Sequence, residues 1–163
     1  MQIKEIMTHP VVSCPVSATT DAAARLMWEF DCGMVPVVDD DRRLAGVITD
    51  RDICMAAYTQ GVSLAAIPVT SVMARQVVAA HLEDTVENVE SLMQTSQIRR
   101  VPILDRDDRV AGIVAVNDLA RLAARAHRNG VDRGLIKTMA AVCQPRAHAT
   151  MPEPEVIERP IAV

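Results

Sequence analysis

Aromatic residues are almost missing from this chain: one Trp, one Tyr and one Phe, 2% of 163 residues. Proteins that grip single-stranded nucleic acid stack its bases on aromatic rings, and there are too few here to build such a surface. Positive charge is short as well. Lys and Arg number 17 against 21 Asp and Glu, a net charge of -4 with a pI near 5.5, which lacks the electrostatic footprint of a nucleic-acid partner. No segment approaches about 18 unbroken apolar residues, and MQIKEIMTHP has no signal-peptide core, so the expectation is a soluble, cytoplasmic chain that meets no membrane. The four cysteines (Cys14, Cys32, Cys54, Cys143) are far apart and form no CxxC, and His9, His81, His127 and His148 are equally scattered. Neither zinc spacing nor a thioredoxin-like motif is visible, and free thiols packed as small hydrophobes are expected. GxSxG, a Walker glycine loop, HExxH and a cysteine beside an evident base are all missing, so no catalytic set is expected either.

Apolar residues are plentiful at 50%, enough for a real core in one ordinary domain or two very small ones. Their arrangement repeats. GVITDRDI at Gly46 returns as GIVAVNDL at Gly112, 66 residues further on. The same offset, held without a gap, matches Met7, Val11, Val12, Thr19, Leu26, Met27, Val35 and Pro36 with Met73, Val77, Val78, Thr85, Leu92, Met93, Val101 and Pro102. Two copies in one register make this a duplicated structural unit.

Each copy reads as a short strand, from Val11 to Cys14 or from Val77 to Ala80, then a threonine (Thr19, Thr85) placed to cap a helix. That helix runs to about Asp31 or Gln97. Val86, Val89 and Met93 fall on one face at helical period, and that face must cover a sheet. MVPVV and RVPIL follow as strands whose proline suits a sheet edge. The acidic stretches DDDRRLAG and DRDDRVAG lack EF-hand spacing and its closing glutamate, so they read as solvated hairpin turns. A third strand then hands over to a helix near Arg51 or Asn117. The order is β-α-β-β-α, twice: residues 1–61, residues 67–128, and then 129–163 with a further helix in VDRGLIKTMAAVC and a tail of four prolines.

The polar run closing the third strand raises the functional question. Thr49 and Asp52, spaced i to i+3, can turn to the same side of a helix N-terminus. They either cap that helix or hold a ligand, a ribose on the carboxylate and a phosphate on the hydroxyl and the free N–H groups.

The pattern MxxxVVxxxxxxT followed by VPVVDxDxRLAGVITDRDI, repeated once from about Ile3 to Arg128, resembles a tandem pair of cystathionine-β-synthase (CBS) domains, a Bateman module. The resemblance implies an α+β fold of two β-α-β-β-α repeats packed with pseudo-two-fold symmetry. It also implies a regulatory role, sensing adenosine-containing ligands (AMP, ADP, ATP, S-adenosylmethionine, NAD) in clefts between the repeats. Carried onto this sequence, Thr49 and Asp52 would hold phosphate and ribose, with Arg51 either neutralising a phosphate or solvated, and Val12, Met34, Val35 and Pro36 would form an aliphatic slot for adenine, residues that core packing alone explains equally well. Val78, Arg100, Val101, Pro102 and Asp118 would be their counterparts in the second cleft. That cleft departs from the pattern, with Ala115 in place of Thr49 and Asn117 in place of Arg51, while Arg99 and Arg100 offer charge from another direction. No catalytic cofactor and no metal are implied. AMP or ATP is the expected ligand, and coenzyme A is a further adenosyl candidate.

The resemblance further implies a homodimer, pairing through helices rich in small and apolar residues such as ICMAAY and LARLAARA. An unidentified effector protein would receive the signal, and the tail is expected to dock on a partner subunit. The alternative is a constitutive scaffold or stress protein with vestigial clefts.

Overall fold

The computed structural model describes residues 1–126 and 133–143. In the first unit, β1 (Cys14–Pro15) lies parallel to β2 (Met34–Val38), and β2 pairs antiparallel with β3 (Leu44–Thr49). Helix α1 (Thr20–Glu29) joins β1 to β2, and α2 (Asp50–Gln60) follows β3. The second unit repeats this with β4 (Ala80–His81), α3 (Val86–Ser96), β5 (Arg100–Leu104), β6 (Val110–Ala115) and α4 (Val116–Ala126). Helix α5 (Arg133–Val142) comes last. The class is α+β, as expected.

Local chemistry sets the boundaries. The Thr19 hydroxyl accepts from the Ala22 N–H at 3.5 Å, and Thr85 does the same for Asn88 at 3.2 Å, so each threonine caps its helix. Helix α3 ends where Gln97 turns left-handed, and α2 ends on left-handed Gly61. The acidic hairpin turns are held by their own backbone. Asp39 accepts from the N–H groups of Asp41 and Arg43, and Asp105 from those of Asp107 and Arg109. The Arg109 N–H is the largest influence holding the Asp105 carboxyl below its ordinary value.

Two expectations need correction. The leading strands are only two residues long and begin at Cys14 and Ala80, because Val11 and Ala79 pack into a small cluster between the sheets with Val38, Leu104 and Val110. Pro36 and Pro102 stand in the central strands of their sheets. They are tolerated there because β1 reaches only Val37 and Val38, and β4 only Ile103 and Leu104, so the prolines face no third strand.

The packed bodies differ from the sequence repeats. Residues 1–8 lie on the second unit, where Ile3, fully buried, joins the core of Val89, Met93, Val101, Ile103 and Val114. Thr8 exchanges two backbone hydrogen bonds with Ile113, at 2.8 and 3.1 Å. Sixty-six residues on, Val69 and Met73 complete the core of the first unit, and Ala74 exchanges bonds with Val47 at 3.0 and 2.9 Å. Each unit therefore lends its leading segment to the other. Gly46 makes room for this exchange: a Cβ there would stand 2.8 Å from the Ala74 carbonyl oxygen, and Gly112 faces Thr8 in the same way.

The hairpins complete the join. The Leu44 N–H donates to Asp108 and the Val110 N–H to Arg42, while the Arg43 and Arg109 Nε groups donate to the carbonyls of Asp107 and Asp41. Each of these exchange and hairpin contacts has its partner at the same offset, so the two units are related by a pseudo-two-fold axis.

Candidate functional site

Strand β3 ends at Thr49, and α2 starts at Asp50, which delivers Thr49 and Asp52 to one turn. Asp52 Oδ2 accepts from the Thr49 hydroxyl at 2.7 Å and from the Thr49 N–H at 2.9 Å, while the Asp52 N–H donates back to Thr49 Oγ1 at 3.2 Å. This is a reciprocal capping box. It fixes both side chains and leaves Asp52 Oδ1 without a hydrogen-bond partner among the described residues. Both residues are half-buried, whereas Arg51 and Asp50 are exposed. The arrangement is a pre-set acceptor beside the positive end of a helix.

The second unit is built differently at the same place. Asp118 is 5% exposed, and both of its oxygens are taken. Oδ2 accepts from the Ala115 N–H at 2.7 Å, and Oδ1 meets the Arg121 guanidinium and, at 3.4 Å, the Thr8 hydroxyl. Thr8 arrives through the segment exchange, so a hydroxyl stands near Asp118 despite Ala115. Sequence reasoning missed both Thr8 and Arg121. A ribose at Asp118 would have to displace Arg121, whose own side chain is largely exposed.

The expected slot is only partly assembled. Met34 and Pro36 are buried and share one face of β2, but alternation turns Val35 into the helix-covered core with Val37 and Ile48. Val101 is turned the same way in β5, leaving Arg100 and Pro102 on the opposite face. Val35 and Val101 are thus core residues, and no side chain of theirs lines a slot. Val12 and Val78, half-buried, lie just ahead of β1 and β4.

Arg100 reaches farther than its sequence position indicates. Its Nη2 lies 3.0 Å, and Asp50 Oδ2 2.9 Å, from the point where a Cβ on Gly33 would stand. Its charge is also felt by Cys32, whose thiol is pushed up mainly by burial, with the Met34 N–H and Arg100 pulling the other way. Arg100, expected at the second cleft, therefore also presents its guanidinium to the start of α2 in the first unit. Two surface pockets are found nearby. One, about 400 Å³, runs along α3 between Asp84 and Ser96 and touches none of the expected site residues. The other, about 340 Å³, includes Arg100. Thr49 and Asp52 line neither.

Among the described residues no group of three His, Cys, Asp or Glu side chains is placed to hold a metal ion, and no helix is long and apolar enough to cross a membrane.

The family model for the CBS domain matches residues 3–58 and again 69–125. The CBS domain-containing protein YhcV of Bacillus subtilis is 38% identical over 118 residues, covering 72% of this chain and 82% of its own. Among solved structures, the CBS domain pair of protein MJ0100 in complex with 5'-methylthioadenosine and S-adenosyl-L-methionine superposes with a TM-score of 0.70 at 28% identity, covering 78% of this chain and 98% of that one. Hypoxic Response Protein I, solved with two coordinated zinc ions, gives 0.68 at 30% identity, with 74% and 98% covered.

Proposed function

Because this chain belongs to the CBS-domain family and carries two copies in tandem, we propose that it is a regulatory ligand-sensing module for an adenosine-containing molecule, AMP or ATP first. The observation that carries this reading is the Thr49/Asp52 box, in which one carboxylate oxygen is fixed by the cap and the other stays open. Two adjacent ribose hydroxyls can donate to that open oxygen. The first N–H groups of α2 and the Arg100 guanidinium, close to Asp50, would face the phosphate. Support for an adenosyl ligand also comes from the MJ0100 pair, whose ligands both contain adenosine. The same chemistry admits S-adenosylmethionine, NAD or coenzyme A.

Binding between two units that share leading segments shifts their relative packing, and a partner protein reads that shift. The role is regulatory, without catalysis. The clefts are unequal, since Asp118 is already saturated while Asp52 is open. Calorimetric titration with AMP is expected to resolve one stronger site that is lost with Asp52, and two equal, independent sites would contradict the assignment.

The working unit is a homodimer. Leu119 and Ala123 in LARLAARA are buried within the chain, so that helix offers less free apolar surface than its sequence indicates. The most exposed large apolar side chains stand on α1 and α2: Trp28 is 88% exposed and Tyr58 83%, with Phe30 and Met55 also exposed, while Ile136 and Met139 on α5 are exposed to a lesser degree. Apolar side chains left this exposed suit a two-fold contact between copies. Light scattering after size exclusion should give about twice 17.7 kDa, and Trp28→Glu should return the mass to that of one chain. A parent protein that is monomeric at micromolar concentration would contradict this. The expected docking of the tail falls on residues outside those described.

A further inference from the structure

The two turns hold their carboxylates by the same bond and differ at the second oxygen. Asp52 Oδ2 accepts from the Thr49 N–H at 2.9 Å, and Asp118 Oδ2 from the Ala115 N–H at 2.7 Å, which fixes each carboxylate over the start of its helix. Asp52 Oδ1 is left without a partner among the described residues. Asp118 Oδ1 meets the Arg121 guanidinium and, at 3.4 Å, the Thr8 hydroxyl. Both additions come from differences between the repeats: sixty-six residues before Arg121 stands Met55, and sixty-six after Thr8 stands Ala74. Neither of those side chains has a hydrogen to donate. The result is seen in burial, since Asp52 is half-buried whereas only 4% of the Asp118 side chain is exposed.

Arg121 is brought to Asp118 by its i+3 spacing on α4. Of the two added partners it is the movable one. Thr8 is pinned to β6 by its two backbone bonds with Ile113, while the Arg121 side chain is 60% exposed and projects from the outer side of its helix. An ion pair so open to water adds little to stability. Its larger effect is to occupy the acceptor. A guanidinium presents N–H donors side by side, as a ribose presents two adjacent hydroxyls, so the arm fills the hydrogen-bonding role that a sugar would take.

We propose that Arg121 is an internal stand-in for the ligand, a specificity-determining residue that shuts the second cleft to neutral nucleosides. This rests on the adenosyl reading of the two turns and names what separates them. A sugar reaches Asp118 only when the rest of its molecule draws the guanidinium away, which an uncharged molecule has no group to do. The first cleft, with Met55 at that place, makes no such demand.

Adenosine is the probe, because it carries the ribose and no charge. Equilibrium dialysis of the full-length protein counts the sites per chain. The parent should bind one adenosine, and Asp52→Ala should lose it. Arg121→Met, which copies the first unit, should bind two, the second at least about tenfold more tightly than any second site of the parent. Adding Asp118→Asn should remove that site again. Arg121→Ala should behave as Arg121→Met does, and Arg121→Lys, which keeps a cation over Asp118, should stay at one. A merely structural ion pair would not yield a new site when removed. A count of one in both the Met and Ala variants, or a second site in Arg121→Lys, would overturn the proposal and leave the first cleft as assigned. A second site in Arg121→Met with none in the parent would uphold it and overturn the Asp52 assignment. Adenosine binding in none of the proteins would overturn it too, and the first cleft is then decided separately by AMP titration of the parent.

Discussion

Replacing Asp52 with alanine is expected to weaken AMP binding by about 1.5–3 kcal/mol, the usual worth of hydrogen bonds to a charged group, or about 10- to 150-fold in Kd. Asp52 also closes the capping box on Thr49, so the alanine variant loses part of the α2 cap, about 1 kcal/mol of stability. Asp52→Asn separates the two effects. It keeps an oxygen for the Thr49 N–H but removes the charge that a ribose would meet. Both variants should lose affinity, and only the alanine variant should lose appreciable melting temperature. A 2'-deoxy ligand should bind the parent more weakly, because one of the two donors to Asp52 is gone. AMP binding to Asp52→Ala as tightly as to the parent would remove this residue from the site.

Ile3→Ala is expected to destabilise the second unit by about 2–5 kcal/mol, although Ile3 belongs to the first repeat in sequence. Its side chain is fully buried in the second core, against residues such as Val89 and Met93. Truncation leaves a cavity there and loosens the segment that carries Thr8 to Asp118. Hydrogen exchange should therefore show lost protection in α3 and β5 before α1 and β2 change. The symmetric change, Val69→Ala, should invert the pattern. Loss of protection confined to α1 and β2 in Ile3→Ala would contradict the segment exchange.

What the sequence made legible was local. Thr19 and Thr85 signalled their caps, the Asp39 and Asp105 turns were read from their acidic residues, and Val86, Val89 and Met93 marked a buried face at helical period. The Thr49/Asp52 pair was legible as a polar turn, with cap and ligand as its two meanings, and the cap is the one visible in the hydrogen bonds. Contacts between distant segments were not legible. Residues 1–8 belong to the opposite core, and the available signal was indirect: a glycine in the middle of β3 and of β6, each opposite a matched methionine, Met73 or Met7. The repeat offset does not show which way β2 and β5 turn their side chains, so slot and core stay equal readings of Val35 and Val101 until strand alternation places their side chains in the core. Arg100 was assigned to its own repeat because nothing in a linear sequence shows that the pseudo-two-fold axis brings it to Gly33. The Arg121 contact that occupies Asp118 lies one helical turn along α4 and was within reach of spacing arguments, but an exposed arginine carries no sign of its partner.

The central claim, that the native chain binds an adenosine-containing ligand, is tested most directly by thermal unfolding of the parent and of Asp52→Ala with AMP, ADP, ATP, S-adenosylmethionine, NAD and coenzyme A. A ligand that binds only the folded state stabilises it by about 2.7 kcal/mol at one hundred times its Kd, which for a chain of this size moves the midpoint up by several degrees. At least one of the six should raise the parent's midpoint by that much and leave Asp52→Ala nearly unmoved. If none shifts the parent at millimolar concentration, the adenosyl-sensing account is wrong and the constitutive scaffold reading takes its place.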